Sequence, residues 1–496
     1  MNPILIFLAN KKLTPKINLI SHAMALTLTL LPLHASAQTS VNEQILNILL
    51  QNKLVTQEKY QALQQQSIAE EQELLRLKEI EKKFQAAQVK DSPAATNNNN
   101  TAGNARANFK KGFYLETPDG KNNLLITGRF QGDYITLQDD NPGNDSFVMR
   151  RARMAMMGTV SEYYDFMMEA DFGQGRARLN DSYFNINYVP YAQLLAGQFK
   201  TPFSMEELHS DNWIDFVERS LANNFVPSRD LGLMLHGKDK NDWVHYQLAI
   251  LNGRKINASE DADDHKDIAG RISIAPFSQM QSDWLQPLHL AASFTSGMQQ
   301  TEHPSTDWWR DSFKTAAGTT FLQLNPNISQ QGDRIRTGYE LAWLPDSLSV
   351  KAEYIDMSLD GVSDGTQTAD FNNQAGYVSA AYFLTGEHEP WKDGIPQRIT
   401  PKHPFTLGKG GWGALQLLAR HEWVDFDREI LNLGFANDSL YTNGAEGYTL
   451  GINWYPSEMV RFMLNYYDVD YTDTLYSGGV PMEKEQAYLS RFEIVW

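Results

Sequence analysis

QAYLSRFEIVW, residues 486–496, places Tyr488, Phe492, Ile494 and Trp496 on one alternation phase and Arg491 and Glu493 on the other. A strand that is apolar on one face, charged on the other and finished by an aromatic residue suits a cylinder standing in a membrane. Lipid wets one face of such a strand, water wets the other, and the sheet closes through it. The rest of the chain is read outward from this segment.

From Phe109 onward short alternating runs recur, separated by turns rich in Gly, Asn and Asp. LLITGRFQGDY, FVMRRARMAMMGTV, WVHYQLAIL, DRIRTGYELAWL, EGYTLGINWY and VRFMLNYYDV are among the clearest. About sixteen strands in hairpin order predict an all-β fold, an antiparallel transmembrane β-barrel occupying residues 109–496. Short turns on one side and longer loops on the other fit that architecture. The segment from Glu387 to Gly411 does not, because an even count makes it a long turn on the short-turn side. Either it is a real exception or the count is off by two.

Alternation then assigns faces. In FVMRRARMAMMGTV, residues Ala152, Met154, Met156 and Val160 face lipid, so Arg151 and Arg153 point into the lumen. Arg150 falls on the lipid phase, near a strand end where it could reach headgroups. The same phase places Arg129, Arg271, Arg334, Arg336, Lys351, Arg420, Arg461 and Arg491 inside, with the acids Asp133, Asp165, Glu169, Asp171, Glu340, Glu353 and Glu493. A charge on the lipid face costs about 2–4 kcal/mol at mid-bilayer, so this parity argues for a wet interior. The inward guanidiniums either lower the barrier for anions or pair with the inward acids and merely solvate the lumen.

Upstream of the barrel, residues 1–37 carry Lys11, Lys12 and Lys16, an apolar run to Leu33 and Ala35-Ser36-Ala37, the pattern of a signal peptide. Removing them takes away three lysines and no acids, leaving 40 basic against 60 acidic residues and a net charge of −20. So acidic a chain is a poor fit to nucleic acid. Residues 38–90 predict a periplasmic helical segment with an imperfect coiled-coil seam, since Leu74, Leu77 and Phe84 hold heptad-like positions and Glu81 interrupts them. Residues 91–108, polar and low in complexity, read as a disordered linker.

No cysteine is present, and neither a cofactor nor a bound metal is expected. An outer-membrane enzyme is the competing class, yet His421-Glu422 lacks the second histidine of H-E-x-x-H and no G-x-S-x-G occurs. SEDADDH, residues 259–265, lacks the glycine and final glutamate of a calcium loop. A purely structural barrel tethered by the helix and linker is a third possibility.

GQFKTPFSMEE at 197–207 resembles the phosphate-selective porin O and P family. RRAR at 150–153, FVERS at 216–220, Arg229 with Gly232, YFLTGE at 382–387 and GINWYP at 451–456 extend the resemblance over most of the chain from about residue 110. It implies a sixteen-stranded outer-membrane porin, usually a homotrimer, passing small anionic solutes by diffusion, with a third loop folded inward. Here that loop would run from about residue 201 to 230, with a helical core. Lys200, Arg219 and Arg229 are its bases, against Glu206, Glu207, Asp211, Asp215 and Glu218. Phosphate or a related oxyanion is the implied solute. The acid excess in the loop departs from the family's basic constriction and keeps a general or carboxylate-preferring pore as the alternative.

Overall fold

The computed structural model describes residues 106–109, 112–138, 141–254, 256–258, 261, 263–301, 312–408 and 410–496. The expected signal peptide and helical segment lie outside the described residues, as does most of the expected linker.

Sixteen antiparallel strands form the wall. The first five are β1 (Asn123–Leu137), β2 (Ser146–Val160), β3 (Tyr164–Asp171), β4 (Arg178–Val189) and β5 (Ala192–Lys200). There follow β6 (Arg229–Lys238), β7 (Val244–Leu251), β8 (Asp267–Ile274), β9 (Leu288–Thr301) and β10 (Ser329–Trp343). The sheet continues with β11 (Leu348–Ser363), β12 (Thr368–Phe383) and β13 (Ala414–Asp425). It ends with β14 (Gly444–Ser457), β15 (Val460–Ser477) and β16 (Val480–Val495). Each strand pairs with the next, and β16 returns to β1 from Ala487↔Leu137 to Val495↔Arg129. The cylinder therefore has no free edge to satisfy in a bilayer.

At the seam, Trp496 and Gly128 exchange backbone hydrogen bonds of 3.0 and 3.1 Å. A Cβ on Gly128 would stand 2.4 Å from the Trp496 ring and 2.9 Å from the Arg153 carbonyl, so only glycine fits. Below this point a hairpin of Arg106–Phe109 and Phe113–Glu116 pairs with the start of β1, continuing the sheet in the slot that β16 vacates.

The wall is inverted relative to a water-soluble protein. In β16 Arg491 and Glu493 are buried, whereas Tyr488 and Phe492 are 46% and 40% exposed on the outside. The alternation read from sequence holds along most of the wall and slips at several bulges, one of which redirects a charge read from sequence. Gln131 opposes Arg151 but Gly132 opposes Met149, leaving Arg150 without a cross-strand partner. This bulge makes two successive residues point the same way, so Arg150 turns inward instead of reaching lipid headgroups.

One end has the two- and three-residue turns 190–191, 458–459 and 161–163, and the other carries the long connections 201–228 and 426–443. The connection 384–413 is a thirty-residue exception at the short-turn end, so the strand count was right and the exception is real. Apolar packing inside comes mostly from long connections. Phe203, Phe225, Phe313, Phe321, Phe426 and Phe435 are essentially inaccessible and form one cluster with Phe371 of β12.

Candidate functional site

The connection between β5 and β6, Thr201 to Ser228, lies inside the barrel, with Met205, Phe216, Val217 and Phe225 each 3% exposed or less. Its composition predicts a helix, but only Met205–Leu208 forms a turn of one, with a 3-10 turn at Leu221–Asn224. The remainder is irregular, and irregular backbone at membrane depth must find partners for its amides and carbonyls.

Those partners are wall side chains. Glu353 accepts from the Glu206 amide at 2.6 Å, Asn465 from Val217 at 2.7 Å and Glu422 from Leu221 at 2.7 Å. Carbonyls are met by donors: Arg461 to Ile214 at 2.7 Å, Asn453 to Asp215 at 2.7 Å and Arg420 to Glu218 at 3.1 Å. Lys200, at the root of the loop, donates to the carbonyl of His209 at 3.1 Å. Much of the inward charge read from alternation is thus committed to holding this loop.

Two loop acids gather most of the rest. Asp211 is met by Arg153 at 2.7 Å, Arg151 at 3.2 Å and Arg129 at 3.8 Å from the wall, and by Arg219 from its own loop. Arg153 also binds Asp171 at 2.6 Å and Glu169 at 3.2 Å. Glu218 receives Arg150 at 2.6 Å and Arg491 at 2.9 Å, while Arg491 holds Asp133 through two nitrogens. Burial pushes the Asp211 carboxyl up, but Arg151, Arg219 and Arg153 outweigh it and hold it well below the ordinary range. Burial likewise raises Glu218, and Arg150, Arg151 and Arg491 reverse the balance. Glu206 differs: burial prevails over Arg420 and leaves its carboxyl raised.

Lys351 spans two elements, donating to Asp215 of the inward loop at 2.7 Å and to Glu389 of the long turn. That turn lies across the narrow-turn mouth. Arg271 binds Glu340 at 2.7 Å and the Gly394 carbonyl at 3.0 Å. Trp391 stacks on His289 at 4.2 Å, and Arg398 sits 4.8 Å over the Trp213 ring of the inward loop. A cluster of Asp242, His245 and Asp393 at this rim has Lys238 on both aspartates, at 2.7 and 2.9 Å.

Open space lies on the other side of the loop. A cavity of about 250 Å³ is lined by Arg178, Arg229, Arg254, Arg334 and Arg336, against the acids Asp230 and Asp267. Arg229 is paired with Asp181 at 2.8 Å, and Arg334 with Asp267 at 2.9 Å and the Gly253 carbonyl at 2.9 Å. Arg336 donates to Thr295 at 3.2 Å. Asp230 accepts from the amides of Gly253 and Arg254 at 2.7 and 3.0 Å, which anchors the connection after β7.

The structure therefore divides the bases singled out by sequence, together with Glu206 and Glu218 of the loop. Arg129, Arg151, Arg153, Arg420, Arg461, Arg491, Lys200, Lys351, Glu206, Glu218 and Arg219 dock the loop. Arg271 ties the long turn. Arg229, Arg334 and Arg336 meet at the cavity. Sequence reading missed Arg178 and Arg254. Plain alternation back from the outward Phe184 sends Arg178 to the lipid side, but a bulge at Met168/Ala170 reverses the phase, turns Leu179 outward and leaves Arg178 at the cavity. Arg254 lies in an aperiodic connection that carries no such signal.

The sequence profile of a family described as phosphate-selective porin O and P matches residues 125–480. Porin O of Pseudomonas aeruginosa is 22% identical over 385 residues, spanning 72% of this chain and 85% of that protein. An uncharacterised protein of Caulobacter vibrioides is 26% identical over 357 residues, 67% of this chain and 64% of its own length. Among solved structures, the anion-selective porin from Comamonas acidovorans superposes with a TM-score of 0.47 at 11% identity, over 76% of this chain and all of the other. A Salmonella typhi OmpF complexed with daunomycin gives 0.49 at 13% identity, over 76% of this chain and 98% of that one. With the profile covering most of the chain, this closed sixteen-stranded barrel belongs to the phosphate-selective porin O and P family.

Proposed function

We propose that this outer-membrane porin carries small anions by passive diffusion, inorganic oxyanions such as phosphate among them. One observation carries the reading: the 250 Å³ cavity beside the inward loop is lined by five guanidiniums and two carboxylates. Both carboxylates already accept bonds from the protein, whereas arginine keeps its charge at any working pH. Weak attraction at several successive cations lets an anion enter and leave. The acid excess of the loop does not oppose this, because Glu206, Glu207, Asp211, Asp215 and Glu218 each face a basic partner.

Reversal potentials across a planar bilayer under a potassium chloride gradient test the proposal. Chloride preference is expected, and potassium preference would end it. The family membership implies a homotrimer, which the mass of the detergent-solubilised protein would check. The outward Tyr, Phe, Leu and Ile side chains support lipid contact, and the N-terminal 90 residues are proposed as an export signal followed by a periplasmic helical segment.

A further inference from the structure

The cavity has a second character that phosphate cannot use. Val226 and Pro227 on the returning limb of the inward loop, Leu251 at the end of β7 and Ile256 on the next connection form its apolar side. Val226 and Leu251 are 3% and 2% exposed. Opposite them stand the guanidiniums. Arg178 makes no close ion pair among the described residues, and Asp171, which lies opposite it across the strands, is held by Arg153 at 2.6 Å. Arg334, itself 2% exposed, keeps Nε without a hydrogen-bond partner among them.

Inorganic phosphate is polar on every side. Setting it against Val226, Leu251 and Ile256 would strip water from oxygens that gain no donor there. At about 250 Å³ the chamber is also roomy, equal to roughly eight water volumes. A planar carboxylate matches the two-pronged guanidinium geometry, and an attached hydrocarbon body would cover the apolar wall.

We infer that this chamber is a binding site for organic anions, a carboxylate carried on a compact apolar body, in preference to inorganic phosphate. The inference rests on the anion-porin reading above and narrows its solute class. Arg178 and Arg334 meet the carboxylate, and Val226, Pro227, Leu251 and Ile256 meet the body.

The test uses the full-length channel in planar bilayers at neutral pH, with chloride current titrated by benzoate, acetate and phosphate. Benzoate should half-block at a concentration about tenfold below acetate, the value of burying a ring beside the same charge, and below phosphate. Ile256→Ser, on a half-buried loop position, should bring benzoate to within about twofold of acetate. Equal block by benzoate and acetate, or strongest block by phosphate, overturns the inference. So does a benzoate preference that Ile256→Ser leaves intact. Should that variant fail to insert, the wild-type ranking decides. A potassium-selective reversal potential would instead remove the underlying anion reading, so the two failures are distinguishable.

Discussion

Arg150 Nε lies 2.6 Å from Glu218 Oε1 and its Nη2 lies 3.0 Å from Oε2, joining the wall to the inward loop at two points. Only the bulge at Gln131/Gly132 makes this possible, since plain alternation sends Arg150 to the lipid side. Arg150→Met and Glu218→Gln, made singly and together, should therefore show a coupling of about 0.5–3 kcal/mol in the unfolding of the vesicle-embedded barrel. Additivity to within about 0.5 kcal/mol would mean the pair holds nothing.

Asp211 is a carboxylate set among four cations of the chain itself. Asp211→Asn removes one negative charge and leaves those cations in place. The chloride-to-potassium permeability ratio should rise, by about fivefold if the charge acts with the ~1 kcal/mol of a unit charge at 4 Å in water. A ratio that stays constant or falls would show that this cluster does not face the permeation path.

Acid should release the loop late. Asp211 and Glu218 have carboxyls held below their usual range, so the stability they lend is present above that range and is lost only as pH falls through the lowered values. Glu206 is raised, so its buried charge weighs against the folded state at high pH and that burden lifts on mild acidification. Barrel stability and single-channel current should hold between pH 7 and about 5 and decline only at strongly acid pH. A transition centred on the ordinary carboxylate range would contradict these assignments.

The turn 384–413 reaches across the narrow-turn mouth through Glu389, Trp391, Gly394 and Arg398. Exchanging residues 388–398 for a Gly-Ser tether of equal length should raise single-channel conductance, because it removes the Trp391 ring and the Arg398 guanidinium from the mouth. An unaltered current would locate the resistance elsewhere.

The barrel was legible because lipid exposure enforces period-two patterning over long stretches, as in Tyr488/Arg491/Phe492/Glu493. Even the awkward thirty-residue turn was visible as a break in the rhythm of turn lengths. What alternation could not supply was partnership. It placed Arg151, Arg153 and Arg461 inside, yet nothing in their own strands says that Asp211 and the Ile214 carbonyl arrive from a loop. Arg150 was misassigned because a one-residue bulge leaves no mark in a period of two. The loop's helical composition misled because wall side chains, available only in the folded molecule, outbid the intrahelical bonds that its sequence favours.

That arrangement also bears on the order in which the molecule is made. The groups that satisfy the inward loop come from β1, β11, β13, β14 and β15, positions as far apart in sequence as Gln131 and Asn465. They become neighbours only when the first and last strands meet. Residues 201–228 therefore settle after cylinder closure, as a late step of high contact order, and until then the nascent barrel holds a wider bore than the finished one.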